Sequence, residues 1–123
     1  MNILGIDYGL KRIGLAISIS GIISPLAVIQ NDTKTLIQIK KIINQNRVEK
    51  IYIGISEGNF AVKTHQFVKY LKTMINLPIE TVEEAVSTIE ADAIYLANKN
   101  KKSDYKKSID SVAAAVILRR VID

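Results

Sequence analysis

Four acidic residues of this 123-residue chain do not read as ordinary solvated surface, and a carboxylate at the end of a buried strand is costly unless something positive meets it. Asp7 follows the apolar run Ile3, Leu4, Ile6 directly and precedes the turn-like Tyr8-Gly9, so it ends a buried strand. Its ordinary alternative is a turn-forming Asp bonded to nearby backbone. Glu57 follows the apolar run Ile51–Ile55, and Glu84, next to Glu83, follows a strand-like run that starts at Ile79. Asp110 falls in the first turn of a helix read from Ser108, where an acid also complements the helix dipole. Asp32, Glu49, Glu80, Glu90 and Asp123 sit at caps, strand approaches or the chain end and read as solvated. In an α/β sheet, ligands collect at the carboxyl ends of strands, where Asp7, Glu57 and Glu84 converge if their strands are neighbours. Carboxylates gathered this way repel one another unless a divalent cation neutralises them. Mg²⁺ suits the role, with Mn²⁺ as the alternative, because it takes oxygen ligands and shares them with substrate phosphates. Two such ions roughly 3.5–4 Å apart activate a water and stabilise the leaving oxygen in phosphodiester hydrolysis.

Composition narrows the alternatives. There is no cysteine, hence no disulfide framework and no thiolate chemistry, and His65 is the only histidine, which excludes multi-histidine zinc sites and disfavours a Ser-His-Asp triad. His65 itself reads as a surface residue on a helix. Lys plus Arg number 17 against 12 Asp plus Glu, a net charge of +5 that favours polyanionic partners, nucleic acid above all. No apolar run approaches the roughly 20 residues of a membrane span, and Met1–Ile6 is too short for a secretory signal. The expectation is one cytoplasmic domain spanning residues 1–123, with 48% hydrophobic residues to fill a core.

The elements that must position these acids follow from periodicity. Ile3–Asp7 and Arg12–Ser18 read as a β-hairpin, the second strand setting Ile13, Leu15 and Ile17 against Gly14 and Ala16 on the other side. Gly21 marks a turn and Leu26–Gln30, after Pro25, a third strand. Asp32 or Thr33 caps a helix carrying Leu36, Ile39 and Ile43, which ends around Asn44–Asn46. The strand Ile51–Ile55, a polar loop Ser56–Asn59, a helix with Phe67, Val68, Leu71, Met74 and Ile75, and a strand Ile79–Glu83 after Pro78 come next. Ser87-Thr88-Ile89-Glu90 has capping-box spacing and starts a helix to about Asn98. Asn98–Lys107 holds five lysines in ten residues, and Lys99–Lys107 reads as a flexible segment. Ser108 caps a last helix that turns Val112, Ala113, Val116, Ile117 and Val121 inward. Three strands followed by helix–strand alternation imply an α/β domain: a mixed five-stranded sheet, antiparallel at its start and flanked by helices.

Gly5-Ile6-Asp7-Tyr8-Gly9-Leu10-Lys11-Arg12-Ile13-Gly14-Leu15-Ala16 closely resembles the opening motif of the YqgF family, whose members are described provisionally as Holliday junction resolvases or pre-16S rRNA nucleases. Ile53-Gly54-Ile55, Glu83-Glu84-Ala85-Val86-Ser87-Thr88 and Ile109-Asp110-Ser111-Val112-Ala113-Ala114-Ala115 resemble later motifs in the family's order. The resemblance implies an RNase H-like fold and metal-dependent hydrolysis of nucleic acid, either 5′-end processing of pre-16S rRNA or resolution of branched DNA, by a monomer or a homodimer. It implies catalytic, metal-holding roles for Asp7, Glu84 and Asp110. The sequence departs from the pattern at Glu83 (Asp in the family), Ala85 (Arg) and Ser56 (Pro), while Glu57 adds an acid that would supplement or replace Glu84 as a metal ligand. Lys11 and Arg12 are placed to contact a phosphate. In the lysine segment Lys101, Lys102, Lys106 and Lys107 would hold backbone phosphates, with Tyr105 stacking on an unpaired base. Two other readings compete. One is a binding module with the same fold that no longer cuts. The other, an actin-like ATPase suggested by the Asp-Tyr-Gly turn, requires two such domains, for which 123 residues are too few.

Overall fold

The computed structural model describes residues 1–55, 60–83 and 102–122, with the side chains of 102–110 excepted. Five strands form one sheet in the order β3-β2-β1-β4-β5. They are β1 (Ile3–Asp7), β2 (Arg12–Ile19), β3 (Ile22–Gln30), β4 (Lys50–Ile55) and β5 (Ile79–Glu83). Helices α1 (Thr35–Asn46) and α2 (Phe60–Met74) connect β3 to β4 and β4 to β5, and α3 (Lys102–Ile122) closes the described chain. The first three strands pair antiparallel, whereas β1–β4 and β4–β5 pair parallel, as the α/β reading requires.

Period-two alternation sends the residues of the central strands to opposite faces. Leu4 and Ile6 of β1, Ile13, Leu15 and Ile17 of β2, and Ile51 and Ile53 of β4 join Ile39, Val68 and Leu71 in the larger core, so α1 and α2 cover this face. On the other face Ala16 packs with Ala114, Ala115 and Leu118 of α3. Every residue from Ser111 to Leu118 is buried, while Val121, expected inside, is only half-buried. Gly5 explains how closely α3 sits: a Cβ there would lie 2.7 Å from Leu118 Cγ.

The turn between β2 and β3 is the two-residue Ser20-Gly21, both with positive φ (53° and 81°), the backbone a tight hairpin demands. The third strand is longer than the sequence suggests, starting at Ile22 rather than after Pro25. The strand lies at the sheet edge, where a residue without an N–H is tolerated. A shift in register skips Leu26, which has no partner between Pro25 and Ala27.

Two further expectations change. No side chain caps α1; Asp32 acts one step earlier, accepting the Lys34 backbone N–H at 2.8 Å, while Thr35 Oγ1 accepts from the Asp32 N–H at 3.0 Å and donates to the Gln30 carbonyl. The last helix begins at Lys102, not at Ser108. Lys102–Lys107 are therefore its first turns rather than a flexible segment, and Asp110 is its ninth residue. Propensity accounts for the difference, because lysine is a good helix former and the segment contains neither Gly nor Pro. The helix expected from Ser87 lies outside the described residues. Among the described residues no helix is long and apolar enough to cross a membrane.

Candidate active site

Asp7 ends β1, the middle strand of the sheet, and is half-buried. In register it stands beside Gly54 of β4, and Gly54 beside Val82 of β5. The three parallel strands thus deliver their carboxyl ends to one edge, where open α/β sheets bind ligands. Glu57 comes two residues after the end of β4 and Glu84 one residue after the end of β5; both lie outside the described residues, as does Lys101. The backbone of Asp110, with that of Lys102, Tyr105, Lys106 and Lys107, is helical within α3. With the helix starting eight residues earlier, Asp110 is too far from its N-terminus to serve the dipole, whose influence fades within the first turn.

Asp7 lies two residues beyond Gly5 and therefore on the α3 face of the sheet. Tyr8 takes the opposite face and stacks on Phe67 of α2, ring centroids 4.3 Å apart, with Phe60 at 5.8 Å. This aromatic group pins the strand end to α2, so Asp7 is carried on a firmly packed backbone. Past Tyr8 the chain turns tightly: a Cβ on Gly9 would strike the carbonyl oxygen of Arg12. Asn31, immediately after β3, clasps this turn from both sides. Its side-chain amide donates to the Gly9 carbonyl at 2.8 Å and its backbone N–H to the Lys11 carbonyl at 2.9 Å. Lys11 and Arg12, both exposed, are thereby presented at the same end of the sheet as Asp7.

Sequence reasoning did not single out Asn31, although an Asn directly after a strand is a recognisable turn signal. It also missed Arg120, whose guanidinium donates to the Glu83 carbonyl at 2.8 Å and ties α3 to the end of β5, next to Glu84. His65 is exposed on α2, as read. Among the described residues no three His, Cys, Asp or Glu side chains gather as a metal cluster. Asp7, the candidate acid whose side chain is described at this edge, offers carboxylate oxygen, the donor type a hard divalent cation takes.

This sheet order, with a long helix against one face and an acid ending the central strand, defines an RNase H-like fold. Solved structures with the same fold include the fowlpox virus Holliday junction resolvase (TM-score 0.62, 14% identity, 99% of this chain and 98% of that one) and RuvC of Thermus thermophilus (TM-score 0.56, 15% identity, 95% and 92%). The family model described as "RuvX: Holliday junction resolvase" matches residues 1–123, and the chain belongs to the RuvX family, of which YqgF is another name. A relative from Desulforamulus reducens, named provisionally as a pre-16S rRNA nuclease, is 35% identical over 133 residues, covering 100% of this chain and 97% of its own. One of the same name from Sulfurihydrogenibium is 37% identical over 132 residues, covering 99% and 90%.

Proposed function

We propose that this RuvX-family chain is a divalent-cation-dependent nuclease of the cytoplasm that hydrolyses phosphodiester bonds, with Asp7, Glu84 and Asp110 as its catalytic carboxylates. The observation that carries the reading is the position of Asp7, at the end of the central strand and level with the parallel strands that lead into Glu57 and Glu84. The path of α3 supports Asp110 as the third member. Ala114 stacks over Gly5 and Ile122 shares an apolar cluster with Ile3, so the helix turn that precedes Ala114 leads toward Asp7. Mg²⁺ or Mn²⁺ held by these acids, with Glu57 as a supplementary ligand, would supply charge neutralisation and an activated water at the scissile phosphate. Asp7 anchors that site because its backbone is fixed on both faces. Lys11 and Arg12 steer the phosphate backbone toward the acids, and Lys102, Tyr105, Lys106 and Lys107 grip the strand from the start of α3, together with Lys101, which precedes them in the sequence.

The relatives' names favour precursor 16S rRNA as substrate, and the family description favours branched DNA. A cleavage panel separates them: structured RNA, single strands and four-way DNA junctions, each with Mg²⁺ or Mn²⁺ and an Asp7→Asn control. Cation-dependent cleavage lost in Asp7→Asn is expected; cleavage that survives the substitution overturns the reading. The block Glu83-Glu84-Ala85, without the family's arginine, favours one alternative, a module that binds nucleic acid without cutting it. That alternative requires binding, no cleavage of any substrate, and no thermal stabilisation by either cation.

A further inference from the structure

Helices α1 and α2 lie side by side on the face of the sheet away from α3. Leu36 of α1 and Phe67, Tyr70 and Leu71 of α2 wall a hollow of about 240 Å³. Further along, Lys40, Ile43 and Asn44 meet Met74 and Ile75 around a second hollow of about 230 Å³. From Leu36 to Asn44 this seam is about 12 Å long. Two of its apolar side chains remain open to solvent, Tyr70 at 50% and Met74 at 43% exposure. Charge on the two helices is of one sign: neither contains an Asp or Glu, and Lys40, Lys41, Lys63, Lys69 and Lys72 are all exposed. Asp32, at the mouth of the first hollow, has its carboxylate turned to the Lys34 backbone N–H. Asn31 lines the same hollow and holds the turn that follows Asp7, so the seam opens beside the acidic edge.

We infer that this seam is a track for a single-stranded segment of nucleic acid, with Tyr70 the surface on which an unpaired base stacks and Lys40 a phosphate contact. Single-strand tracks combine a cationic groove with exposed aromatic faces. A duplex keeps its base faces inside the stack and has nothing to offer Tyr70. The inference rests on the nuclease reading and adds to it a substrate class: a cleavage site flanked by an unpaired strand, led away from Asp7 along α1 and α2.

The test is fluorescence anisotropy of the full chain with a labelled eight-nucleotide single strand, as RNA and as DNA, and with a blunt duplex, in EDTA so that no cleavage intervenes. Tyr70→Ala is expected to weaken single-strand binding about tenfold and leave duplex binding unchanged, and Tyr70→Phe to restore it. Lys40→Gln should flatten the plot of log affinity against log salt by about 0.7. If Tyr70→Ala does not fold, as judged by circular dichroism, Tyr70→Leu keeps the apolar bulk without the aromatic face and should show the same loss. Unchanged single-strand binding in these variants, an equal loss on duplex, or capture of an acidic peptide in place of the strand overturns the proposal. Failure here with Asp7-dependent cleavage intact refutes the track alone, whereas Tyr70-dependent binding without any cleavage refutes the nuclease reading alone.

Discussion

A Cβ placed on Gly5 would lie 2.9 Å from the carbonyl oxygen of Ala114, so β1 and α3 touch backbone to backbone two residues before Asp7 and one helical turn after Asp110. Gly5→Ala forces the strand and helix apart, since neither the Ala114 carbonyl nor the buried Leu118 has room to give. Overpacking of this kind costs about 1–3 kcal/mol. A lowered thermal midpoint, with a larger drop for Gly5→Val, is the expected outcome in thermal denaturation.

The acid set makes a second prediction. Asp110→Asn and Glu84→Gln should each abolish the rise in melting temperature that Mg²⁺ or Mn²⁺ gives the wild-type chain, because a cation that binds only the folded state stabilises it by mass action. If Glu57 supplements Glu84, Glu57→Gln lowers that rise without removing it. A Glu57→Gln chain with full cation response and cleavage, beside a dead Glu84→Gln chain, removes Glu57 from the site.

Asn31→Ala deletes the bond from its side-chain amide to the Gly9 carbonyl and leaves the backbone bond to Lys11. A stability loss of about 1 kcal/mol follows. Cleavage should fall further than stability explains, because the turn presents Lys11 and Arg12 beside Asp7. Rates measured well below the melting temperature separate the two effects.

Phe67→Ala removes the ring on which Tyr8 stacks and opens the core under α2. Denaturant unfolding should show a loss smaller than the roughly 3–5 kcal/mol of a fully buried Phe, because Phe67 is only partly buried. Phe67→Leu fills most of the volume without the stack, so any cleavage defect it retains measures how far the aromatic contact positions the end of β1.

At the amino end of β4, Lys50 bonds Tyr52 and Glu80, the latter at 3.2 Å, and these partners raise its pKa above the ordinary 10.5. A raised pKa in the folded state means that the protonated lysine stabilises the fold at neutral pH. That contribution is complete below 10.5 and disappears as pH climbs through the higher, folded-state value. Lys50→Gln should therefore cost stability at pH 7, with the difference from wild type shrinking as pH rises beyond 10.5 in urea titrations.

Much of this molecule is written locally. The alternation in Arg12–Ser18, the apolar run Ile51–Ile55, the stop at Pro78 and the glycine turns specify strands, helices and the mixed sheet, because side-chain periodicity and turn chemistry act over a few residues. The strand-end position of Asp7 was legible for the same reason. Other features depended on partners distant in the chain. Ser108 carries a good local cap signal, yet α3 continues six residues further back. Pro25 looks like a boundary, but β3 lies at the sheet edge, where a residue without an N–H is tolerated. Asn31 carries a local turn signal, but nothing near it, Tyr70 or Arg120 in the sequence says which distant turn, seam or strand end each one meets. Those meetings arise when β1 inserts between β2 and β4 and the helices settle on its two faces, a consequence of burying apolar surface over the whole chain that no short stretch encodes alone.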